Sequence, residues 1–312
     1  MPAAFEGFPG DTFAGRPVYH GKVREVIDAG DKLVMVTTDR ISAFDRPLGA
    51  IAGKGEILNQ LALFWFRETS DILGNHILAE MTPRAVAVKK AQVVPVEVVV
   101  RGYLTGSAWK AYAAGQSVPG LALAGLGGPG RFRAHQKLPH PVITPTTKAP
   151  VGDHDLPMSR EDLIATGRVS AELWTQIERA ALALYARGAE LLASRGLILV
   201  DTKYEFGLVN GELIVVDEMH TPDCSRFWFA DDYEAAFVEG REPRKLDKEY
   251  LRQWLTGQGF TGEGPLPAIP AEVFAETLRR YAQAFERITG TIFHFSGLEP
   301  QAETARLLSS LV

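Results

Sequence analysis

GLILVDTKYEFGLVNGELIVVDE, residues 196–218, decides how this chain is read. Asn210-Gly211 stands between two apolar runs, Leu197–Val209 and Glu212–Glu218. Asn-Gly in that place is the strongest short-range signal for a two-residue β-hairpin, because both residues tolerate the left-handed backbone of the turn. The strands begin apolar and end in Asp201, Lys203, Glu205, Asp217 and Glu218. An ionised side chain is costly to bury alone. These five must therefore face solvent, pair with one another or hold an ion. As a group they look like a hard-cation site, which needs carboxylate oxygens and a phosphate partner. A two-residue turn pairs Val209 with Glu212 and so on outwards, which sets Glu205 and Asp217 on opposite faces. One bulge, with Gly207 the natural place, would bring Lys203, Glu205 and Asp217 to a single face. A bulge or strong twist at Gly207 is therefore expected. A regular ladder there, with the two carboxylates pointing apart, would sink the idea of a shared metal.

Downstream, HTPDCSRFW (220–228) sets Asp223, Ser225 and Arg226 before a bulky apolar pair. An arginine fork suits bidentate binding of phosphate or carboxylate, although a surface turn would look the same. Upstream, VPVEVVVRGYLTGSAWKAY (94–112) places Glu97 and Arg101 on an apolar strand just before a helix start. Ser107 is the expected N-cap of that helix. A helix N-terminus with a nearby arginine is a ready anion site, and an Arg101–Glu97 pair is the plainer alternative. TPTTKAPVGDHD (144–155) gathers Lys148, Asp153, His154 and Asp155, and GKVREV (21–26) puts Lys22 and Arg24 on one side of a first strand.

Around these segments, strands are expected at Val18–Asp28, Lys32–Thr38, Ala85–Lys90 and Pro95–Tyr103. Helices are expected over 56–69, from Ser170 to Gly196, and from Pro270 through Ile288. Residues 116–158, rich in Gly and Pro and without period, read as loop. The order of elements reads as α+β, with a soft boundary near 102–106.

The 312 residues suit two domains or one large one. A net charge of −5 argues against sequence-independent binding of nucleic acid. Residues 201–250 hold 13 acidic and 6 basic side chains, so the acidity is concentrated around the carboxylates just named. The single cysteine, Cys224, excludes an internal disulfide and suits a reducing cytosol. Glu6 and Asp11 with no apolar run make a signal peptide unexpected, and no stretch is long and apolar enough for a membrane span. A soluble cytoplasmic protein is expected. Gly125, Gly127 and Gly130 match G-x-G-x-x-G by count only, with Pro129 inside and no helix period after, so they read as a flexible loop. There is no P-loop and no H-E-x-x-H zinc motif.

Six segments together, GKVREV, DRISAFD (39–45), PVEVVVRGYLTGSAWKAY (95–112), TPTTKAPVGDHD, GLILVDTKYEFG and VVDEMHTPDCSRFW (215–228), resemble the phosphoribosylaminoimidazole-succinocarboxamide synthase (SAICAR synthetase) family. They occur in the family's order across nearly the whole chain and look like its longer form. The resemblance implies an α+β fold, a small β-rich N-terminal domain (1–104) and a larger catalytic domain (105–312), with ATP sandwiched by them. It implies a purine-biosynthesis ligase joining L-aspartate to the carboxylate of carboxyaminoimidazole ribonucleotide (CAIR), with ATP and Mg²⁺, as a monomer or small homo-oligomer. Lys22 and Arg24 would cover the ATP phosphates, with Lys90 and Glu97 at the adenine side. Glu205 and Asp217 would hold Mg²⁺. Arg101, Ser107 and Arg226 would bind the 5′-phosphate, with Asp223 and Ser225 nearby. Lys148, Asp153, Asp201 and Lys203 would surround the reacting carboxylate. Ile27 and Cys224 depart from the family's usual residues without removing a charged group. The residues alone leave open a small-molecule kinase and a non-catalytic nucleotide binder.

Overall fold

The computed structural model describes residues 3–44, 46–121, 130–148 and 156–311. The chain forms two compact units, one of Met1–Trp65, His76–Lys90 and Leu246–Val312, the other of Phe66–Asn75 and Ala91–Lys245. The break expected at 104/105 falls at Lys90/Ala91, and the two strands that follow, Gln92–Val93 and Val96–Leu104, pair with strands of the second unit. The return of the chain to the first unit after Lys245 was not foreseen.

The first unit contains β1 (Thr12–Phe13), β2 (Arg16–His20), β3 (Arg24–Asp28), β4 (Lys32–Thr37), β5 (Arg40–Ala43), β6 (Arg46–Ala50), most of α1 (Lys54–Glu68), β7 (Ile77–Thr82) and β8 (Ala85–Lys89). Six of these strands form an antiparallel sheet in the order β1-β2-β3-β4-β8-β7, and β5 pairs with β6. Period-2 alternation buries Ile27, Val34 and Val36 against Phe5, Phe8 and Phe13 on one face. On the other, Val86 and Val88 pack with Leu63 of α1. The strand expected over Val18–Asp28 is two strands. The Gly21 N–H donates to the Arg24 carbonyl at 2.8 Å and closes a turn between them. Lys22 therefore rides on that turn, not on a strand face.

The second unit contains β9 (Gln92–Val93), β10 (Val96–Leu104), α2 (Gly106–Ala113), β11 (Gln136–Thr147), α3 (Arg160–Ala165), α4 (Ala171–Ser194), β12 (Leu197–Val209), β13 (Glu212–Val216), β14 (Ser225–Phe229) and α5 (Ala230–Glu239). The long strand β12 lies at the centre and pairs with β10, β13, β14 and β9. Ser170 caps α4 as expected, its Oγ accepting from the Leu173 N–H at 3.1 Å. The loop expected over 116–158 contains a twelve-residue strand, β11. Pro139, Pro141 and Pro145 disguise it, and they are tolerated because β11 is an edge strand with one partner face. The N-cap of α2 is Thr105, not Ser107, which lies inside the helix.

The 197–216 hairpin forms with Asn210 and Gly211 both at positive φ. Its ladder is regular from Val209↔Glu212 to Glu205↔Val216, so the bulge expected at Gly207 is absent. The change of direction comes one residue past β13, at Asp217, whose φ is 68°.

The chain then re-enters the first unit with α6 (Glu249–Gly257), α7 (Ala271–Thr289) and α8 (Pro300–Leu311). The expected α7 face is buried through Leu278, Tyr281 and Ile288. In α8, Leu307 joins the core of the first unit and Glu303 is buried against Arg84. No helix among the described residues is long and apolar enough to cross a membrane.

Candidate active site

Strand alternation puts Asp201, Lys203 and Glu205 of β12 on one face, spaced by roughly 7 Å per step. Register then fixes what meets them. Arg101 of β10 lies opposite Asp201, and Asp201 lies opposite Arg226 of β14. The result is one row across three strands. Asp201 Oδ2 accepts from Arg101 Nη1 at 3.0 Å and from Arg226 Nη1 at 2.6 Å. Arg101 Nε donates to Thr144 Oγ1 of β11 at 2.8 Å. Burial pushes the Arg101 guanidinium down, Asp201 opposes that, and Arg226 adds to it. One carboxylate shared by two guanidinium groups leaves a net positive row, suited to an anion.

The N-terminus of α2 stands beside this row. A Cβ on Gly106 would lie 2.5 Å from Arg226 Nη2, so only glycine admits the guanidinium there. Thr105 shares its hydroxyl with His135 Nδ1 at 3.1 Å and no side chain caps α2. Ser107 sits exposed in the first turn. Backbone amides at a helix start and a guanidinium make an anion site by dipole and charge together.

Further along the same face, Lys203 Nζ donates to Glu97 Oε1 at 2.9 Å and to Glu205 Oε1 at 2.5 Å. Lys148 Nζ donates to Glu205 Oε2. Burial pushes Lys203 down, but Glu205, Glu97 and Asp217 hold it well above its ordinary value. Burial pushes the Glu205 carboxyl up, and Lys203 with Lys148 overrides this, holding it at about 2. Asp217, at a left-handed backbone position just past β13, adds its charge to those that favour the protonated Lys203.

The other expected residues have these surroundings. Asp201, expected with Lys203 at a reacting carboxylate, belongs to the arginine row. Ser225 points to the other face, where its Oγ donates to Thr202 Oγ1 at 2.8 Å. Asp223 lies on the turn before β14, its N–H donating to Thr221 Oγ1 at 3.3 Å. In the first unit, Lys22 and Arg24 flank the Gly21 turn, and Lys90 donates to Asp28 Oδ1 at 2.7 Å. That hydrogen bond holds the Asp28 carboxyl below its ordinary value. Asp153, with His154 and Asp155, lies outside the described residues, as do Gly125 and Gly127. Thr144 was missed because its strand was. Among the described residues, no group of three or more metal-ligating side chains occurs.

A two-arginine row at a helix start, beside a strand of alternating lysine and carboxylates, is the kind of arrangement that suits an enzyme of phosphorylated ligands. Comparison with known proteins makes this particular. The SAICAR synthetase family profile matches residues 17–266. The phosphoribosylaminoimidazole-succinocarboxamide synthase of Bacteroides fragilis is 45% identical over 92% of this chain and 90% of its own. The structure of SAICAR synthase from Saccharomyces cerevisiae complexed with SAICAR superposes with a TM-score of 0.76, at 32% identity over 89% of this chain and 96% of that one. A SAICAR synthetase in complex with ADP gives a TM-score of 0.67, at 27% identity over 89% and 100%. The chain belongs to the SAICAR synthetase family. Its reaction is that family's ligation of L-aspartate to CAIR in purine biosynthesis.

Proposed function

We propose that the charged face of the second unit holds CAIR for phosphorylation by ATP and attack by aspartate. The observation that carries this is the Arg101–Asp201–Arg226 row beside the uncapped start of α2. Arg101, Arg226 and Ser107 take the 5′-phosphate. Lys203 and Lys148 lie further along the face, where they neutralise the CAIR carboxylate and the oxygens that gain charge. Asp223 completes the surroundings of the substrate. In the first unit, Lys22 and Arg24 take ATP phosphates and Lys90 lies toward the adenine; Glu97, of the second unit, is the partner of Lys203.

A carboxylate is a poor electrophile. One of its oxygens attacks the γ-phosphorus, the bond from that phosphorus to the β-phosphate oxygen breaks, and ADP leaves. The amine of aspartate then attacks the activated carbon and gives up a proton. Inorganic phosphate leaves with the oxygen that was the carboxylate's. Nothing in this scheme needs an enzyme nucleophile. Partial burial and the Glu218 charge push the Cys224 thiol up to about 11, which suits its absence from the chemistry.

Glu205 and Asp217 offer hard oxygens, and Mg²⁺ needs only one or two carboxylates when phosphates and waters supply the rest. The residues therefore fit the ion, which when bound would stabilise charge on the transferring phosphoryl group. Lys148 would yield its place on Glu205 Oε2. The reaction is assigned to the cytoplasm, in keeping with one unpaired cysteine.

Removing one charge-assisted contact to a phosphate costs ~1.5–3 kcal/mol, about 10- to 100-fold in affinity. Arg226→Ala is expected to raise KM for CAIR by that factor with KM for ATP within about twofold. Equal effects on both would refute the assignment. ADP release must require CAIR and aspartate together.

A further inference from the structure

Arg40 opens β5 in the segment DRISAFD and lies in the first unit, where it meets the turn that carries Lys22 and Arg24. Its guanidinium is spent on backbone carbonyls. Nη2 donates to the Gly21 carbonyl at 2.9 Å and reaches the Arg24 carbonyl at 3.5 Å. Nε donates to the Lys22 carbonyl at 3.2 Å, and Nη1 donates to the Glu6 carbonyl. The remaining carbonyl of the turn, that of Val23, accepts from Thr38 N–H at 2.9 Å and Thr38 Oγ1 at 2.8 Å. Every carbonyl from Gly21 to Arg24 is thus held by Thr38 or Arg40 or by the turn itself.

This matters for an anion. A carbonyl oxygen carries negative partial charge and repels phosphate, whereas a turn whose carbonyls are all drawn to one side presents its other side without them. The two cationic side chains at Lys22 and Arg24 then start from a fixed backbone, so less ordering is left to be done when a phosphate binds. The guanidinium is itself fixed. Nη1 lies 2.6 Å from Oε1 of Glu25, which is fully buried and also meets His20 Nδ1. A Cβ on Gly7 would stand 2.5 Å from Arg40 Nη1, so the N-terminal segment closes tightly over it. Lys54 Nζ anchors the Arg40 carbonyl at 3.0 Å. A planar fork can serve four carbonyls and one carboxylate at once, and an ammonium cannot.

We propose that Arg40 is a positioning residue for nucleotide phosphates: it holds the Gly21–Arg24 turn by its carbonyls and so presents Lys22 and Arg24. The proposal rests on the reading that this turn takes the ATP phosphates. Arg40→Lys is the test, because it keeps a charge for Glu25 and removes the fork. Steady-state kinetics should show KM for ATP raised about tenfold, as expected for losing two or so net hydrogen bonds, with KM for CAIR within about twofold. A residue that merely held the fold together would lower the melting temperature and active fraction without separating the two KM values. Thr38→Val, which removes one of two bonds to Val23 and no charge, should shift KM for ATP in the same direction by less, and it serves if Arg40→Lys does not fold. Lys22→Ala and Arg24→Ala are the reference. If they raise KM for ATP while Arg40→Lys and Thr38→Val leave it unchanged, the positioning role is wrong and the turn's function stands. If they too leave it unchanged, the turn does not bind ATP and the proposal falls with that reading.

Discussion

Asp201→Asn separates two roles that one carboxylate could have. Asp201 is 4% exposed and its Oδ2 accepts from both Arg101 and Arg226. Two guanidinium nitrogens that touch one oxygen lie within ~6 Å of each other, where like charges repel by roughly 3 kcal/mol at an effective dielectric of 20. Breaking a buried pair by removing one partner costs ~3–5 kcal/mol. The Arg226 side chain keeps 20% exposure, which favours the lower end. Asparagine retains the shape and one acceptor, so no cavity adds to the cost. At ~2–4 °C per kcal/mol for a unit of this size, the melting temperature should fall by ~6–12 °C. An anion in the row would then do what the carboxylate did. Ribose 5-phosphate at 100 times its dissociation constant stabilises by ~2.7 kcal/mol, and binding should be tighter in the variant because the competing carboxylate charge is gone. Thermal unfolding with and without ribose 5-phosphate should therefore show a larger rise for Asp201→Asn than for the wild type. Activity, at saturating CAIR, should fall by no more than about tenfold. A group that moves a proton in the reaction contributes ~10²–10⁴-fold. A thousandfold loss of kcat with an unchanged melting temperature would refute the reasoning and return Asp201 to the reacting centre.

Two other predictions concern buried charge. Burial pushes His220 down to about 3, so the folded protein keeps it neutral at a pH where the unfolded chain binds a proton. The stability this represents is complete above the ordinary histidine value of ~6.5 and is lost as pH falls toward 3, at up to ~1.4 kcal/mol per pH unit. Urea titrations between pH 6.5 and 4.5 should show that slope in the wild type beyond the slope of His220→Gln; parallel slopes would exclude it. In the first unit, Glu303 accepts from Arg84 Nε at 2.6 Å and Thr82 Oγ1 at 2.5 Å, with both ionised groups almost fully buried. Glu303→Ala should cost ~3–5 kcal/mol, and limited proteolysis should then cut before α8. An unchanged cleavage pattern and melting temperature would mean α8 is held by Leu307 alone.

The elements that were legible carry local signals. Asn210-Gly211 dictates its own turn, Ser170 caps its own helix, and period 2 sets Asp201, Lys203 and Glu205 on one face. β11 was illegible because three prolines erase strand propensity, and only its place at a sheet edge makes them harmless. The N-cap of α2 was misplaced because Thr105 and Ser107 are equally good cap residues, and the hydroxyl of the one chosen is used by His135, thirty positions away. The absent bulge at Gly207 has the same lesson. The ladder there is regular, and the chain changes direction instead at Asp217, a left-handed position that aspartate tolerates without any strand signal.

What the sequence by itself determined is the chemical inventory and its spacing along each strand: which residues carry charge, which share a face, and which family's order of motifs they follow. Those follow from covalent neighbours and strand period, which do not depend on the rest of the fold. Which charges meet was decided by the tertiary structure alone. Arg101, Asp201 and Arg226 are separated by 100 and 25 positions and become a row only when β10 and β14 pair with β12 in one register. A slip of one residue would send Asp201 to the opposite face and leave both arginines without it. Arg40 reaches its four carbonyls by the same kind of placement. Register is set by apolar burial summed over whole strands, and no local pattern of charges reports it.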